Sequence, residues 1–218
     1  MTNGPGRFQG TPRWSPAGRS IVFDSQGDDG RWDVYSIESA GGQPSRITAS
    51  PADDAVPSFS RDGKWIYFGS DRSGRFEVWR VPSRGGEAVQ ITSNGGFVAF
   101  EAPDGKTLYY TKGGYAGLGP YPLFARPIAG GPERQVLDAV MARSFVPVED
   151  GIYHIGKAAA DRTYPLQFFD FAAGRSRVIT RIELIPSQSI SVAPDRRTVL
   201  FSVSKPSNDD LILIENFR

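Results

Sequence analysis

The side chains that could do acid–base or metal chemistry in this 218-residue chain are mainly carboxylates, because it contains one histidine and no cysteine. The absence of cysteine excludes disulfides, thiolate metal sites and cysteine nucleophiles. The single histidine, His154, excludes metal sites made of several histidines. It occupies a position that is aromatic elsewhere in the chain, which predicts a buried, hydrogen-bonded histidine, with a catalytic base as the alternative. We therefore do not expect a Ser-His-Asp triad.

Turn chemistry explains two groups of four aspartates. Four recur next to a glycine or an arginine in similar turns, where an Asp side chain accepts hydrogen bonds from its own turn: Asp62, Asp104, Asp150 and Asp195. The other four cluster around the sequence SQGDDGRWD, and calcium is the chemistry to consider there. Their spacing does not match a D-x-D-x-D-G loop, whereas DDG is a hairpin signal. The sequence predicts no metal site and no cofactor.

Several sequence features recur along the chain at a constant spacing. This repeat predicts the strands and turns on which the candidate residues lie. A turn glycine occurs at Gly18, Gly63, Gly105 and Gly151, with Arg196 in the fifth place, and the steps are 42 to 46 residues. An aromatic column, in which His154 takes one place, consists of Phe23, Phe68, Tyr110, His154 and Phe201. A complete unit, such as residues 57–92, contains four short strands separated by turns. A period in the forties with four strands per unit is typical of a β-propeller blade.

The first two units resemble the TolB-like (WD-like) propeller repeat of bacterial proteins. The residues that carry the resemblance are Trp14-Ser15-Pro16-Ala17-Gly18-Arg19, Ile21-Val22-Phe23-Asp24-Ser25, Asp33-Val34-Tyr35 and Gly41-Gly42. The resemblance implies an all-β propeller of five four-stranded blades, approximately 10–48, 49–92, 93–137, 138–180 and 181–218, in a single domain. It also implies the contexts of the family, which include a Tol-system propeller that binds periplasmic partners and propellers attached to regulators, kinases and peptidases.

The two ends of the chain do not match each other in this repeat. The final unit has three predicted strands, so the last blade either lacks its outer strand or borrows residues 5–9 for it. The simplest interpretation is the C-terminal part of a longer propeller protein. An unclosed array of blades exposes edges and apolar faces, and self-association through these open edges is then expected.

Glu101 is a carboxylate that is less easily assigned to turn chemistry. It lies four residues before a turn glycine, in a column otherwise made of Trp14, Phe59, Pro147 and Val192. In a propeller this column is near the inner strands, so Glu101 could face the central channel, where glycan hydrolases or lyases would need a pair of acids. Glu149, Asp53 and Asp54 are loosely placed candidates for a second acid. The alternative for Glu101 is a rim or ion-paired glutamate.

Two loops depart from the repeat and predict a binding face. Residues 112–122 form a long Gly-rich segment with Tyr115 and Tyr121, and residues 157–164 end at Tyr164. Variable loops on a rigid scaffold are where binding residues usually lie. The alternative is that these aromatic side chains simply pack on their blades.

The composition sets limits on partners. The net charge is +1, with acidic and basic residues interleaved, so we expect no nucleic-acid partner. No run of about 20 apolar residues is present, and we expect no membrane insertion. The composition fits either periplasm or cytoplasm, and we expect no signal peptide from the N-terminal residues. The sequence therefore predicts a non-catalytic platform that binds a protein, a peptide or a small ligand. A carboxylate-based hydrolase or lyase and a self-associating structural fragment are the alternatives.

Overall fold

The computed structural model describes residues 5–113, 119–141, 143–204 and 209–215, and every regular element within them is a β-strand. The strands form five antiparallel sheets, each built from strands that are consecutive in the chain. The chain is thus an all-β propeller of five blades, as the sequence predicts. None of the described residues forms a helix long and apolar enough to cross a lipid bilayer.

Four of the sheets have four strands and the fifth has three among the described residues. The first sheet contains β1 (Phe8–Trp14), β2 (Ser20–Gln26), β3 (Trp32–Glu38) and β4 (Ser45–Arg46). The second contains β5 (Asp54–Phe59), β6 (Trp65–Ser70), β7 (Glu77–Pro82) and β8 (Val89–Gln90). The third contains β9 (Ala99–Glu101), β10 (Thr107–Thr111), β11 (Tyr121–Pro127) and β12 (Arg134–Val140). The fourth contains β13 (Phe145–Val148), β14 (Gly151–Ile155), β15 (Tyr164–Asp170) and β16 (Arg175–Ile182). The fifth contains β17 (Ile185–Val192), β18 (Thr198–Ser204) and β19 (Asp209–Glu215).

The chain divides into two compact units. The first consists of Met1–Tyr115 with Arg126–Pro132, and the second of Ala116–Ala125 with Glu133–Arg218. In the first unit, Val22, Ile66 and Phe68 belong to one apolar core shared by the first two sheets. In the second unit, a larger core joins residues of the fourth and fifth sheets, among them Phe168 and Phe201.

The residues that the sequence would donate to the last blade are used elsewhere. Phe8 and Gln9 pair with Gln26 and Ser25 in the first sheet. The amide of Arg7 continues this pairing with the Gln26 carbonyl oxygen, at 2.9 Å. The described residues 7–9 therefore extend the first strand of their own sheet.

The aromatic column is confirmed. Each of its members is the fourth residue of the second strand in its sheet, and each is at most 5% exposed. Because side chains alternate between the two faces of a strand, equal positions in equivalent strands place all five residues on the corresponding face. The members are Phe23, Phe68, Tyr110, His154 and Phe201.

The turn glycines are confirmed in three of the five sheets. Gly18, Gly63 and Gly105 have φ of 66°, 69° and 65°, and Arg196 adopts the same left-handed conformation with φ of 60°. The prediction for Gly151 is wrong, because this residue lies within β14 and pairs with Val148 and Asp170. A Cβ atom there would lie 2.2 Å from the Phe169 carbonyl oxygen, so close packing, not a turn, requires this glycine.

Buried threonine hydroxyl groups link the outer edges of the first and second sheets to their third strands. In the second sheet, the Thr92 hydroxyl donates to the Glu77 carboxylate at 2.5 Å and accepts from the Val78 amide at 2.8 Å. In the first sheet, the Thr48 hydroxyl accepts from the Val34 amide at 3.0 Å, and its contact with Asp33 is 3.5 Å long. In these two sheets, the threonine that follows the fourth strand thus fastens the outer edge to the third strand.

We predict that Thr92→Val lowers the free energy of unfolding by about 1–3 kcal/mol, because it leaves a buried carboxylate oxygen without its donor. The same substitution at Thr48 serves as the control and is expected to cost less, since its contact with Asp33 is long. Denaturant unfolding of both variants gives the comparison. Equal effects of the two substitutions would contradict the role given to the hydroxyl–carboxylate bond.

Candidate functional site

A groove of about 420 Å³ opens within the first unit, beside the second and third sheets. We call it the Trp65–Arg80 groove. It is bounded by the strands β6, β7 and β9 and by the turns that follow β5 and β9. The side chains that matter for its chemistry are Arg61, Trp65, Tyr67, Arg80, Glu101 and Asp104.

Strand register places the aromatic and basic side chains of the groove together. Trp65 and Tyr67 are the first and third residues of β6, so alternation directs them to the same face of the sheet. Arg80 lies directly opposite Tyr67 on β7. Side chains of directly opposed residues share a face, which brings Arg80 beside both aromatic residues.

Glu101 is a buried hydrogen-bond acceptor that links the third sheet to the second. Its carboxylate accepts the Tyr67 hydroxyl at 2.7 Å and the Arg61 amide at 2.7 Å. Glu101 is 8% exposed. Burial and the hydrogen bond to Glu101 raise the pKa of Tyr67 well above its ordinary value, so the tyrosine remains a protonated donor. Both oxygens of Glu101 are engaged in holding two sheets together, which favours a structural role for this residue.

Arg80 is held against an aromatic ring but keeps unused hydrogen-bonding capacity. Its guanidinium carbon lies 4.3 Å from the centre of the Trp65 ring, and the guanidinium also reaches the Tyr67 hydroxyl. The Nε atom is buried and has no hydrogen-bond partner among the described residues. A guanidinium has five N–H donors in a fixed planar arrangement, so Arg80 can still bind an acceptor presented in the groove.

Asp62 and Asp104 have the turn role that the sequence predicts. The Asp62 carboxylate accepts the Ser60 hydroxyl at 2.7 Å and the Lys64 amide at 3.0 Å. These contacts lower the pKa of Asp62, with the Ser60 hydrogen bond as the largest cause. Asp104 accepts the Lys106 amide at 2.8 Å. Asp195 does the same for Arg197 at 3.0 Å, whereas Asp150 pairs with Arg196 at 2.7 Å.

Asp54, the second acid predicted for a binding site, is a buried structural residue. Its carboxylate forms two hydrogen bonds of 2.8 and 2.7 Å with Arg72 and accepts the Ser50 hydroxyl at 3.1 Å. Asp54 begins β5, whereas Glu101 ends β9, and the two carboxylates have no hydrogen-bond partner in common. Each carboxylate is thus held by its own set of donors.

The three tyrosines predicted to lie in binding loops differ in where they lie in the structure. Tyr115 lies outside the described residues. Tyr121 and Tyr164 are the first residues of β11 and β15, and both are half-buried. Tyr164 packs against the apolar core of the second unit, which agrees with the packing alternative.

His154 is buried at 2% exposure, and its Nε2 atom lies 3.1 Å from the Ser176 hydroxyl oxygen. Burial lowers the pKa of His154 to about 4, so the imidazole is neutral at pH 7. Its environment fits the core histidine that the aromatic column predicts.

The second unit contains a related contact between its two sheets. Tyr153 is the third residue of β14, as Tyr67 is of β6, and its hydroxyl oxygen lies 3.4 Å from Nε of Arg196 in the turn before β18. The Arg196 guanidinium also lies 5.4 Å from the centre of the Phe168 ring.

The sequence did not predict Trp65, Tyr67 or Arg80 as site residues. The available signal was a second column, one residue before the aromatic column, in which three of five members are tyrosine: Val22, Tyr67, Tyr109, Tyr153 and Leu200.

A protein-family model described as the TolB beta propeller domain matches residues 2–121, more than half of the chain. The chain belongs to the TolB β-propeller family. Over 99 residues it is 32% identical to an uncharacterized protein of Agrobacterium fabrum, covering 44% of this chain and 33% of that protein. Over 56 residues it is 46% identical to the Tol-Pal system protein TolB of Francisella tularensis subsp. mediasiatica, covering 26% of this chain and 13% of that protein.

Solved structures agree on the fold. TolB from Acinetobacter baumannii superposes with a TM-score of 0.78 at 20% identity, covering 97% of this chain and 53% of that one. A puromycin hydrolase superposes with a TM-score of 0.62 at 18% identity, covering 90% of this chain and 33% of that one. This chain thus spans about half the length of the A. baumannii TolB chain and a smaller share of the sequence relatives. At these identities, the structural likeness establishes the propeller fold alone.

We predict that His154 makes stability depend on pH between about 4 and 6.5. Its pKa in the folded state is below its value in the unfolded chain, so the unfolded state binds more protons in this window and stability falls as the pH falls. The wild-type protein should lose about 3 kcal/mol relative to His154→Phe between pH 7 and pH 4. Phenylalanine is the residue found at this position in three other sheets.

Urea unfolding at several pH values measures this difference. Ser176→Ala removes the hydrogen-bond partner but keeps the imidazole, so this control should retain the pH dependence of the wild-type protein. If the free energies of unfolding of the wild-type protein and His154→Phe changed equally with pH, the histidine would not be buried in its neutral form.

Proposed function

We propose that this chain is a non-catalytic module that binds a peptide segment of another protein in the Trp65–Arg80 groove. The observation that carries the proposal is the combination of half-buried Trp65 and Arg80 with buried Tyr67 at one concave site. Tryptophan, tyrosine and arginine dominate the binding energy of protein interfaces when they lie in well-packed pockets. The pocket volume of about 420 Å³ suits a few side chains of a peptide.

The hydrogen bonds around Glu101 support this proposal because they hold the groove in one shape. Tyr67 and Glu101 lie on different sheets and are both buried, so their contact limits movement of one sheet against the other. A binding site that is already ordered loses less conformational entropy when its partner binds.

Several features favour binding over catalysis. A carboxylate that acts as a general acid near neutral pH needs a raised pKa, and Asp62 in the groove has a lowered one. Within the described ranges, no group of three or more His, Asp or Glu side chains is placed to hold a metal ion. The Francisella relative is named as a protein of the Tol-Pal system, and membership in a multi-protein system supports a protein partner.

We also infer that the five sheets act as one propeller domain within a longer protein. The match to about half of the A. baumannii TolB chain supports this inference.

Self-association is the second candidate role, because Phe8 and Trp14 on β1 are 64% and 61% exposed. Light scattering tests self-association: a monomer mass at tens of micromolar protein would exclude it in that range.

Selection of a displayed random 12-residue peptide library on the purified chain tests the peptide-binding function. We expect enriched peptides to bind Trp65→Ala at least tenfold more weakly than the wild-type protein, since truncating a central tryptophan typically costs about 2 kcal/mol or more. Trp14→Ala is the matched control and should bind them normally, because Trp14 does not line the groove.

The circular dichroism spectrum and thermal midpoint of Trp65→Ala establish that it is folded in this comparison. Failure to enrich any peptide, or equal binding by Trp65→Ala and the wild-type protein, would contradict the proposed function.

A further inference from the structure

We propose that the peptide bound in the Trp65–Arg80 groove presents one acidic side chain, whose carboxylate is bound by the guanidinium groups of Arg80 and Arg61. This inference rests on the proposed function and specifies the chemistry of the ligand. The partner is thus a segment of another protein with an aspartate or glutamate next to an apolar residue.

Arg80 has hydrogen-bonding capacity that the described residues do not use. Its side chain is half-buried and lines the groove, and it forms no salt bridge with the described residues. Its Nε–H group is enclosed by the protein, so the terminal Nη groups are the donors that a ligand in the groove would use. A carboxylate matches the planar guanidinium best, because its two oxygens can accept two parallel N–H bonds.

Several other arginines of the same unit have acidic partners within the fold. Arg46, Arg72 and Arg75 each form a salt bridge with a carboxylate, at 2.5, 2.7 and 2.7 Å, the partners being Asp33, Asp54 and Glu77. Among the described residues, Arg61 and Arg80 form no salt bridge. Both line the groove, whereas Arg19, Arg31 and Arg84, which also form no salt bridge with the described residues, lie outside it. The two basic side chains of the groove therefore lack an acidic partner.

The acids that also line the groove are already engaged, and they limit the charge of the ligand. Glu101 accepts from Tyr67 and Arg61, and Asp62 lies 3.2 Å from the Lys64 ammonium group. Asp104 is exposed and accepts an amide of its own turn. Because Asp104 would repel a second negative charge, the groove favours one acidic side chain over a polyacidic segment.

Trp65 provides the apolar part of the recognition. Its ring stacks on the Arg80 guanidinium with a separation of 4.3 Å, which fixes the plane in which the N–H groups lie. Ile128 also lines the groove and is half-buried. A leucine or valine beside the acidic residue of the ligand could cover these apolar surfaces while the carboxylate contacts Arg80.

Two synthetic libraries of capped octapeptides test the inference. One library has glutamate fixed at position 4 and the other has glutamine there, with acetylated N-termini and amidated C-termini in both. We expect the glutamate library to bind the wild-type protein at least tenfold more tightly, because a hydrogen-bonded charge pair is worth about that factor or more. A third library, with glutamine at position 4 and a free C-terminus, tests whether a terminal carboxylate is the group recognised.

Arg80→Gln should abolish the preference for glutamate. Arg61→Gln should reduce the preference by about two- to threefold, since this arginine is exposed and solvent weakens its interaction. It is also the informative variant if Arg80→Gln does not fold. Arg84→Gln, which removes the same charge from an exposed position of the same sheet outside the groove, should leave the preference unchanged.

Four results would overturn the inference. Equal binding of the glutamate and glutamine libraries, while Trp65→Ala still weakens both, would refute it and leave peptide binding intact. Retention of the preference in both Arg80→Gln and Arg61→Gln would place the carboxylate elsewhere. Binding of the free C-terminal library as tight as the glutamate library would identify a terminal carboxylate instead. Absence of binding by every library would refute the proposed function together with this inference.

Discussion

A carboxylate buried beside two β-sheets must be matched by hydrogen-bond donors, and this requirement shapes the junction between the second and third sheets. Glu101 is at the end of β9, where its backbone pairs only within its own sheet. Its side chain instead takes two donors from the second sheet, the Tyr67 hydroxyl and the Arg61 amide. Apolar packing alone would allow the two sheets to adjust against each other, whereas directional hydrogen bonds specify one arrangement.

The groove is a consequence of this junction. Tyr67 is held by Glu101, and Arg80 lies opposite Tyr67 on the neighbouring strand and stacks on Trp65. A side chain whose neighbours are fixed presents its remaining donors in a fixed direction, which is the property that a recognition site requires. The residues that stabilise the propeller here therefore also define its candidate binding surface.

Much of the fold could be predicted from the sequence because it follows from local rules. Turn glycines with positive φ, Asp side chains that cap their own turns and alternation along each strand all act within a few residues. The aromatic column, including His154, was predictable for the same reason. Gly151 shows the limit of such reasoning, since the contact that requires a glycine there involves Phe169 on the next strand.

The candidate site was less predictable because it depends on contacts between sheets. Glu101 was recognised as an unusual residue, but its partners lie 34 and 40 positions earlier in the chain, on another sheet. Asp54 looked available for chemistry because nothing in its own strand reveals that Arg72 pairs with it. The periodic tyrosines one position before the aromatic column were the signal that pointed to the junction.

A double-mutant cycle with Tyr67→Phe and Glu101→Ala tests the junction most directly. Tyr67→Phe removes one oxygen, and Glu101→Ala removes the acceptor, so the cycle isolates the energy of their contact from the other effects of each change. Because the bond joins a hydroxyl to a buried carboxylate, the account predicts a coupling energy of about 1–3 kcal/mol in the free energy of unfolding. Additivity within about 0.5 kcal/mol would show that Tyr67 and Glu101 do not hold the two sheets together.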